Sequence, residues 1–197
     1  MDKKDRWENH YARRAREERW LARSVYKLEE IDRKYTLIRT GYRLLDLGCY
    51  PGSWSQYCIK KVGETGEVVG LDLKAPNRFA APNFRFIHAD ILTLDVGRLT
   101  REIGQRDVVI SDLSPQITGI RTTDTSRSME LVKKALEIAV VILKKKGHFL
   151  CKAFEGEELK IFKDECSRYF EQRHLIRPSA VRKGSSEIYL LGLRLVR

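Results

Sequence analysis

The chain has 197 residues, is 42% hydrophobic and 33% charged, and carries a formal net charge of +11. That composition excludes a disordered polymer, and the length suits one domain able to bury a substantial core. The longest apolar run, Ile138–Leu143, is six residues, far short of the ~20 that cross a bilayer.

The charged start Met1-Asp2-Lys3-Lys4-Asp5 lacks the apolar stretch of a secretory signal. A cytoplasmic protein with no membrane partner is expected. Residues 1–35 contain neither Gly nor Pro and mix charge with aromatic residues, which predicts one or two helices carrying Trp7, Tyr11, Trp20, Val25, Leu28 and Ile31. Residues 1–41 then form a basic helical extension of a single domain spanning 1–197. From residue 42 short β-rich runs alternate with helical stretches. Strands are predicted at Tyr42–Leu47, Glu67–Leu71, Phe84–Ile87, Asp107–Ser111, Gly147–Phe154, Leu175–Arg177 and Glu187–Leu193. Helices are predicted at Ser53–Val62, Ser126–Lys146 and Glu157–Tyr169. The second places Val132, Leu136, Ala139 and Leu143 on one face, and the third Leu159, Phe162, Cys166 and Tyr169.

Alternation of this kind predicts an α/β fold: a mostly parallel seven-stranded sheet covered by helices on both faces, with the last two strands as an antiparallel edge hairpin. In such sheets ligands bind at the carboxyl ends of the strands, near the point where strand order reverses. The four cysteines, Cys49, Cys58, Cys151 and Cys166, form no C-x-x-C, and the four histidines form no zinc-spaced pair. Reduced, buried thiols and no metal site are expected.

The positive charge is not spread evenly. Residues 1–43 hold 13 Lys+Arg against 8 Asp+Glu, and residues 173–197 hold 6 against 1, so each end carries +5. Residues 44–172 carry only +1. Clustered positive charge suits either a polyanion such as nucleic acid or a solvated helix face.

The first strand runs into Asp46-Leu47-Gly48-Cys49-Tyr50-Pro51-Gly52-Ser53-Trp54. Glycines between a strand and a helix let backbone approach a ligand closely. Neither the dinucleotide G-x-G-x-x-G nor the phosphate-binding G-x-x-x-x-G-K-[ST] is present there. Asp72 closes the second strand, where a carboxylate can accept from ribose hydroxyls. Asp90 follows the third, placed to accept from an adenine amino group or to order the loop. Together these features suit an adenosine without pyrophosphate, with S-adenosylmethionine as the candidate cofactor.

The sequence resembles the FtsJ/RrmJ-type (RlmE) 2′-O-ribose RNA methyltransferases. The resemblance runs from Arg23-Ser24-Val25-Tyr26-Lys27-Leu28 to Ser186-Glu187-Ile188-Tyr189. It rests on D-L-G-x-x-P-G-x-W-S-Q at Asp46–Gln56, S-D-x-x-P at Ser111–Pro115 and K-x-F-x-G at Lys152–Gly156. Cys49-Tyr50 stand where two small residues are common, and Ser53 where Gly is usual. The resemblance implies a Rossmann-like fold, S-adenosylmethionine as methyl donor, and large-subunit ribosomal RNA as partner, the target being a uridine ribose. It implies cofactor contacts from Asp46, Gly48, Pro51, Gly52, Ser53, Trp54, Asp72, Asp90 and Asp112. It also implies a catalytic Lys-Asp-Lys-Glu tetrad on Lys27, Asp112, Lys152 and Glu187. The same family resemblance leaves a tRNA ribose methyltransferase, or a non-catalytic ribosome-assembly module, as alternatives.

Methyl transfer to a 2′-hydroxyl needs the oxygen aligned with the donor and relieved of its proton. A lysine acts as the base only when neutral, which burial and a second ammonium favour. Alternatively Lys152 stays protonated, holds the oxygen, and the proton leaves after transfer. Lys27 is placed to tune Lys152 or hold RNA, Asp112 to orient Lys152 and counter the cofactor's positive charge, and Glu187 to orient the hydroxyl or a lysine. The Gly/Thr/Ser-rich stretch Gln116–Arg127 is expected as a loop over the site, with Asp124, Thr125 or Ser126 capping the next helix. Arg13, Arg14, Arg16, Arg177, Arg182 and Lys183 are candidate phosphate contacts, interleaved with Trp7, Tyr11 and Trp20. A monomer is expected.

Overall fold

A computed structural model describes residues 3–77 and 81–196; for residues 3–9 and for Arg121 only the backbone is described. The side chain of Trp7, expected among the RNA contacts, lies outside the described residues. In chain order the elements are α1 (Lys3–Glu17), α2 (Val25–Tyr35), β1 (Arg43–Leu47), α3 (Ser53–Val62), β2 (Glu67–Asp72), β3 (Phe84–His88), α4 (Val96–Ile103) and β4 (Arg106–Ser111). There follow α5 (Arg121–Ile142), β5 (Leu143–Phe154), α6 (Glu157–Glu165), β6 (Phe170–Ile176) and β7 (Glu187–Leu195).

The sheet has seven strands in the order β3-β2-β1-β4-β5-β7-β6. The first five are parallel, while β7 pairs antiparallel with both β5 and β6. The strand order reverses between β1 and β4, so a crevice opens where their carboxyl ends diverge. The expected hairpin is present, but its second strand is interior: β7 lies between β5 and β6, and β6 forms the edge.

Alternation along the strands sorts the core into two layers. Leu45, Leu47, Val69, Leu71, Val109, Phe149, Cys151, Ile188 and Leu190 point to the face covered by α5 and α6. Leu44, Val68, Val108, Ile110, Leu150, Tyr189 and Leu191 point to the face covered by α2 and α3. On the first face α5 buries Met129, Val132, Ala135, Ile138, Ala139 and Ile142, and each large aliphatic side chain removed from water stabilises the fold by about 1.5–3 kcal/mol. All four cysteines are buried and reduced.

Several boundaries differ from expectation. Helix α5 ends at Ile142 rather than Lys146, because Leu143 already pairs with Arg106. The lysines that follow form a bulge, in which Lys144 reaches Asp107 at 2.7 Å. The helix expected at Glu157–Tyr169 stops at Glu165 and tightens into a 3₁₀ turn over Cys166–Arg168. Strand β6 begins five residues before the expected Leu175, at Phe170, since an edge strand tolerates the exposed Glu171 and Gln172. Helix α4 was not foreseen; Asp95 caps it by accepting from the Arg98 N–H at 2.8 Å.

Candidate active site

The two-residue period places the site before any contact is measured. Residues 44 and 46 on β1, 68, 70 and 72 on β2, 108 and 110 on β4, 150 and 152 on β5, and 187, 189 and 191 on β7 share a face, which Gly48 and Asp112 continue just past the ends of β1 and β4. Their apolar members all pack on the α2/α3 face. Asp46, Asp72, Asp112, Lys152, Glu187 and Tyr189 therefore point to one side, at the carboxyl end of the parallel strands. Helix α2 crosses that face and delivers Lys27. Its start is tied to the start of α3: Trp54 Nε1 donates to the Ser24 carbonyl (2.9 Å), Ser24 Oγ meets Ser53 Oγ (2.9 Å), and Leu21 N–H donates to Gln56 Oε1 (2.9 Å).

The four tetrad residues come together as two ion pairs. Lys27 Nζ lies 2.6 Å from Glu187 Oε1. Lys152 Nζ donates to the Asp112 carbonyl at 2.6 Å and lies 3.2 Å from Asp112 Oδ1. Between them stands Tyr189, which the sequence reading passed over. Its hydroxyl is 2.7 Å from Glu187 Oε1 and 3.0 Å from Asp112 Oδ1, and its ring packs against Trp54 at 5.9 Å. Burial first, and then the two carboxylates, hold the Tyr189 phenol protonated well above the usual range. The signal was present: in Glu187-Ile188-Tyr189, positions two apart on a strand share a face.

Beside the pairs a cavity of about 430 Å³ opens at the strand ends of β1 to β4, a size usual for small-ligand sites. Of the nine expected cofactor residues, Gly48, Asp72, Asp90 and Asp112 line it, with Tyr50, Leu73, Leu113 and Ser114. Asp46, Pro51, Gly52, Ser53 and Trp54 do not line it; they lie in the strand end and helix start that shape its wall. Gly48 has φ +75°, and a Cβ there would come 2.8 Å from Leu113 Cδ2. Only glycine lets the β1 turn run this close to the β4 loop. Gly52 opens α3 at φ 115°.

The acidic residues already have backbone duties. Asp72 accepts from Tyr50 N–H and Lys74 N–H, one on each oxygen, both at 2.9 Å. A carboxylate offers about four lone-pair sites, so each oxygen keeps one for a ligand hydroxyl. Asp90 caps the turn at Ile91–Thr93 through the Leu92 N–H (2.9 Å), which is the loop-ordering role, with its second oxygen left over.

Asp46 is fully buried. Its Oδ2 accepts from Ser55 Oγ at 2.6 Å, while Oδ1 has no partner. Burial, reinforced by Asp112 and Asp72, pushes its carboxyl up to about 7 despite the Ser55 hydrogen bond. A cation in the cavity beside Asp72 and Asp112 would offset the negative charge that, with burial, raises Asp46. The donor set therefore fits a cationic adenosine such as S-adenosylmethionine.

The segment from Asp112 to Ile120 is irregular and exposes Ile117 and Ile120. Helix α5 begins at Arg121, five residues before the expected Ser126, and Asp124 lies inside it. Instead of capping the helix, Asp124 reaches back to accept from Thr118 N–H and Thr118 Oγ1 (both 2.8 Å) and from Gly119 N–H (3.2 Å). Arg127 Nη1 also holds the Gln116 carbonyl (3.4 Å).

The basic ends divide. Helix α2 and the connection between β6 and β7, which carries Arg177, Arg182 and Lys183, meet at the site. There Glu30 binds Ser179 through its N–H and Oγ (2.8 and 2.6 Å). Arg177 pairs with Glu155 at 2.7 Å, and Arg14 with Glu18 at 2.6 Å. Arg173 and Arg194 belong to the opposite end of the sheet, where Arg194 pairs with Glu171 (2.7 Å). Only part of the C-terminal charge therefore flanks the tetrad. No three or more His, Cys, Asp or Glu among the described residues gather as a metal site. No helix among them is long and apolar enough to cross a membrane.

Comparison with known proteins identifies the family. The chain is 45% identical over 188 residues to the ribosomal RNA large subunit methyltransferase E of Bdellovibrio bacteriovorus, covering 94% of this chain and 95% of that protein. It is 44% identical to the protein of the same name from Methanothermobacter thermautotrophicus, covering 95% and 90%. Among solved structures, a Plasmodium falciparum protein described as a ribosomal RNA methyltransferase superposes with a TM-score of 0.78 at 25% identity, covering 90% of this chain and 99% of that one. The profile of the family described as FtsJ-like methyltransferase matches residues 20–195, and the chain belongs to that family.

Proposed function

We propose that this protein methylates a ribose 2′-hydroxyl, that of a uridine in large-subunit ribosomal RNA, acting as a monomer on the S-adenosylmethionine-dependent plan of its family. The observation that carries this reading is the meeting of two lysine–carboxylate pairs around Tyr189, at the mouth of a cavity whose acidic lining suits a cation.

S-adenosylmethionine, when bound, supplies a methyl group already activated by its sulfonium. Asp72 and Asp90 would hold the ribose and adenine end, and Asp46 and Asp112 would offset the positive charge. The remaining work is alignment of the acceptor oxygen, a contribution that reaches about 7–11 kcal/mol in the best intramolecular cases. Lys152 as an ammonium has three N–H donors. Two point to Asp112 O and Oδ1, and the third is available to hold the 2′-oxygen. In this reading Lys152 positions the oxygen, and the hydroxyl proton is released to solvent. Lys27, fixed by Glu187, presents a second cation to the flanking phosphate. The names of the relatives, together with the basic connection Arg177–Lys183 beside the tetrad, support ribosomal RNA as the polyanion.

The test is transfer of label from tritiated S-adenosylmethionine to large ribosomal subunits or to bulk tRNA, followed by mapping of 2′-O-methyl positions. Label at one uridine of the large-subunit RNA is expected. Label confined to tRNA would overturn the substrate assignment, and a Lys152→Ala variant with unchanged turnover would overturn the assignment of Lys152.

A further inference from the structure

The tetrad is two ion pairs carried by four different elements, and ion pairs alone do not fix the distance between them. Lys27 and Glu187 join α2 to the start of β7; Lys152 and Asp112 join β5 to the end of β4. One described side chain is hydrogen-bonded to both pairs. The Tyr189 hydroxyl lies 2.7 Å from Glu187 Oε1 and 3.0 Å from Asp112 Oδ1, the same two oxygens that face Lys27 Nζ and Lys152 Nζ.

We infer that Tyr189 is a positioning residue for methyl transfer, whose hydroxyl clamps the Lys27–Glu187 pair to the Lys152–Asp112 pair and so sets where Lys152 can hold an acceptor oxygen. The inference rests on the proposed ribose-methylation reading of the same site.

Three features separate this role from that of an ordinary core tyrosine. The side chain is fully buried, and its ring is held against Trp54, so the hydroxyl has no solvent-facing alternative. Trp54 in turn donates to the carbonyl of Ser24, three residues before Lys27, so the ring is referenced to the helix that delivers the first lysine. Tyr189 is also the direct cross-strand partner of Lys152 in the β5–β7 ladder, so the backbone sets its position relative to the second lysine. Core packing asks only for the ring, which phenylalanine would supply equally well. What phenylalanine lacks is the one donor that the two carboxylates share. Without it Asp112 and Glu187 face each other across an apolar gap, and each pair is free to settle on its own lysine.

The test compares wild type, Y189F, E187A and the double variant Y189F/E187A. Methyl transfer is measured under single-turnover conditions, with tritiated S-adenosylmethionine and large ribosomal subunits from cells lacking the endogenous activity. Rates are expressed per cofactor-binding site, so a fraction of misfolded protein does not enter. Y189F is expected to bind S-adenosylmethionine within twofold of wild type and to transfer methyl about 10- to 100-fold more slowly, the rate equivalent of losing one hydrogen bond to a charged group. In the E187A background the same change is expected to cost less than about twofold, because one of the two pairs to be clamped is already gone. A purely structural role predicts weaker cofactor binding with an unchanged rate per site, or equal losses in both backgrounds; either result, or a Y189F rate within twofold of wild type, overturns the inference. Failure of wild type itself to methylate a ribose would overturn the proposed function instead, a distinguishable outcome.

Discussion

The change Asp46→Asn isolates the electrostatics of the cavity wall. Asp46 is fully buried, bonded through Oδ2 to Ser55 and unpartnered at Oδ1, and its carboxyl is pushed from an ordinary 3.8 to about 7 by burial and by the nearby Asp112 and Asp72. An acid raised in the fold binds more protons there than in the unfolded chain, so stability falls as pH rises from 3.8 towards about 7 and is level above that. The full cost of the ionised form is about 4 kcal/mol at 1.36 kcal/mol per pH unit. Asparagine keeps the acceptor for Ser55 but never ionises. Its amide N–H, buried without a partner, costs about 1–3 kcal/mol at every pH.

The observable is therefore the change with pH rather than the offset. Between about pH 5.5 and pH 8.5 the variant should gain about 2 kcal/mol on wild type, or about 4–8 °C in Tm for a chain of this size. Differential scanning calorimetry of both proteins, without cofactor, reads this directly. A Tm difference that stays constant across that range would mean that Asp46 does not ionise near neutral pH, and the account of a buried carboxyl raised by burial and by Asp112 and Asp72 would fail. Isothermal titration gives the complementary reading. Wild-type affinity for S-adenosylmethionine should rise from about pH 6 to pH 8 as Asp46 ionises behind the cavity wall and adds to its negative field, whereas the affinity of D46N should be flat.

Other expectations follow from single contacts. G48A forces a Cβ against Leu113 at positive φ, strain of order 1–3 kcal/mol. It should lower Tm and weaken S-adenosylmethionine binding at least tenfold by calorimetry; normal affinity would show that the turn adapts freely. Hydrogen bonds from Thr118 and Gly119 hold the Asp124 carboxyl below its ordinary range, so this tether is in force above that range and is lost as pH falls through the lowered value. D124N at neutral pH should accelerate amide exchange at Thr118 and Gly119 and leave the centre of α5 unaffected; unchanged exchange would remove Asp124 as the loop's anchor. E30A should free the connection around Ser179 to proteolysis while costing less than about 1 kcal/mol in stability, as exposed contacts do; unchanged cleavage would place the restraint elsewhere.

Much of the fold was legible because the sheet's core strands repeat apolar residues strongly, as in Val68-Val69 and Val108-Val109-Ile110. The turn at Gly48–Gly52 was legible from its glycines between a strand and a helix, whereas Lys27, Asp112, Lys152 and Glu187, which the structure brings together, were singled out by the family resemblance alone. Helix α4 was not, because it buries only Leu99 and Ile103 and so shows one turn of periodicity. Strand β6 was obscured by Glu171-Gln172-Arg173, charged and polar positions allowed at an edge. Tyr189 was hidden for a different reason: as a tyrosine between Ile188 and Leu190 it reads as core. Its importance arises from tertiary neighbours, Asp112 and Trp54, that are far away in sequence.

The interior position of β7 has a consequence for synthesis. Glu187 and Tyr189 lie on a strand that fits between β5 and β6, both of which are made earlier. Until residues 187–195 emerge, β5 presents a long unpaired edge, and the site holds one lysine–carboxylate pair with nothing to tether the other. A nascent chain stalled before that point lacks Glu187 and Tyr189 and is sticky, since an open edge beside apolar residues invites pairing with another chain. Completion of the two ion pairs and protection of the β5 edge arrive together, with the insertion of one nine-residue strand.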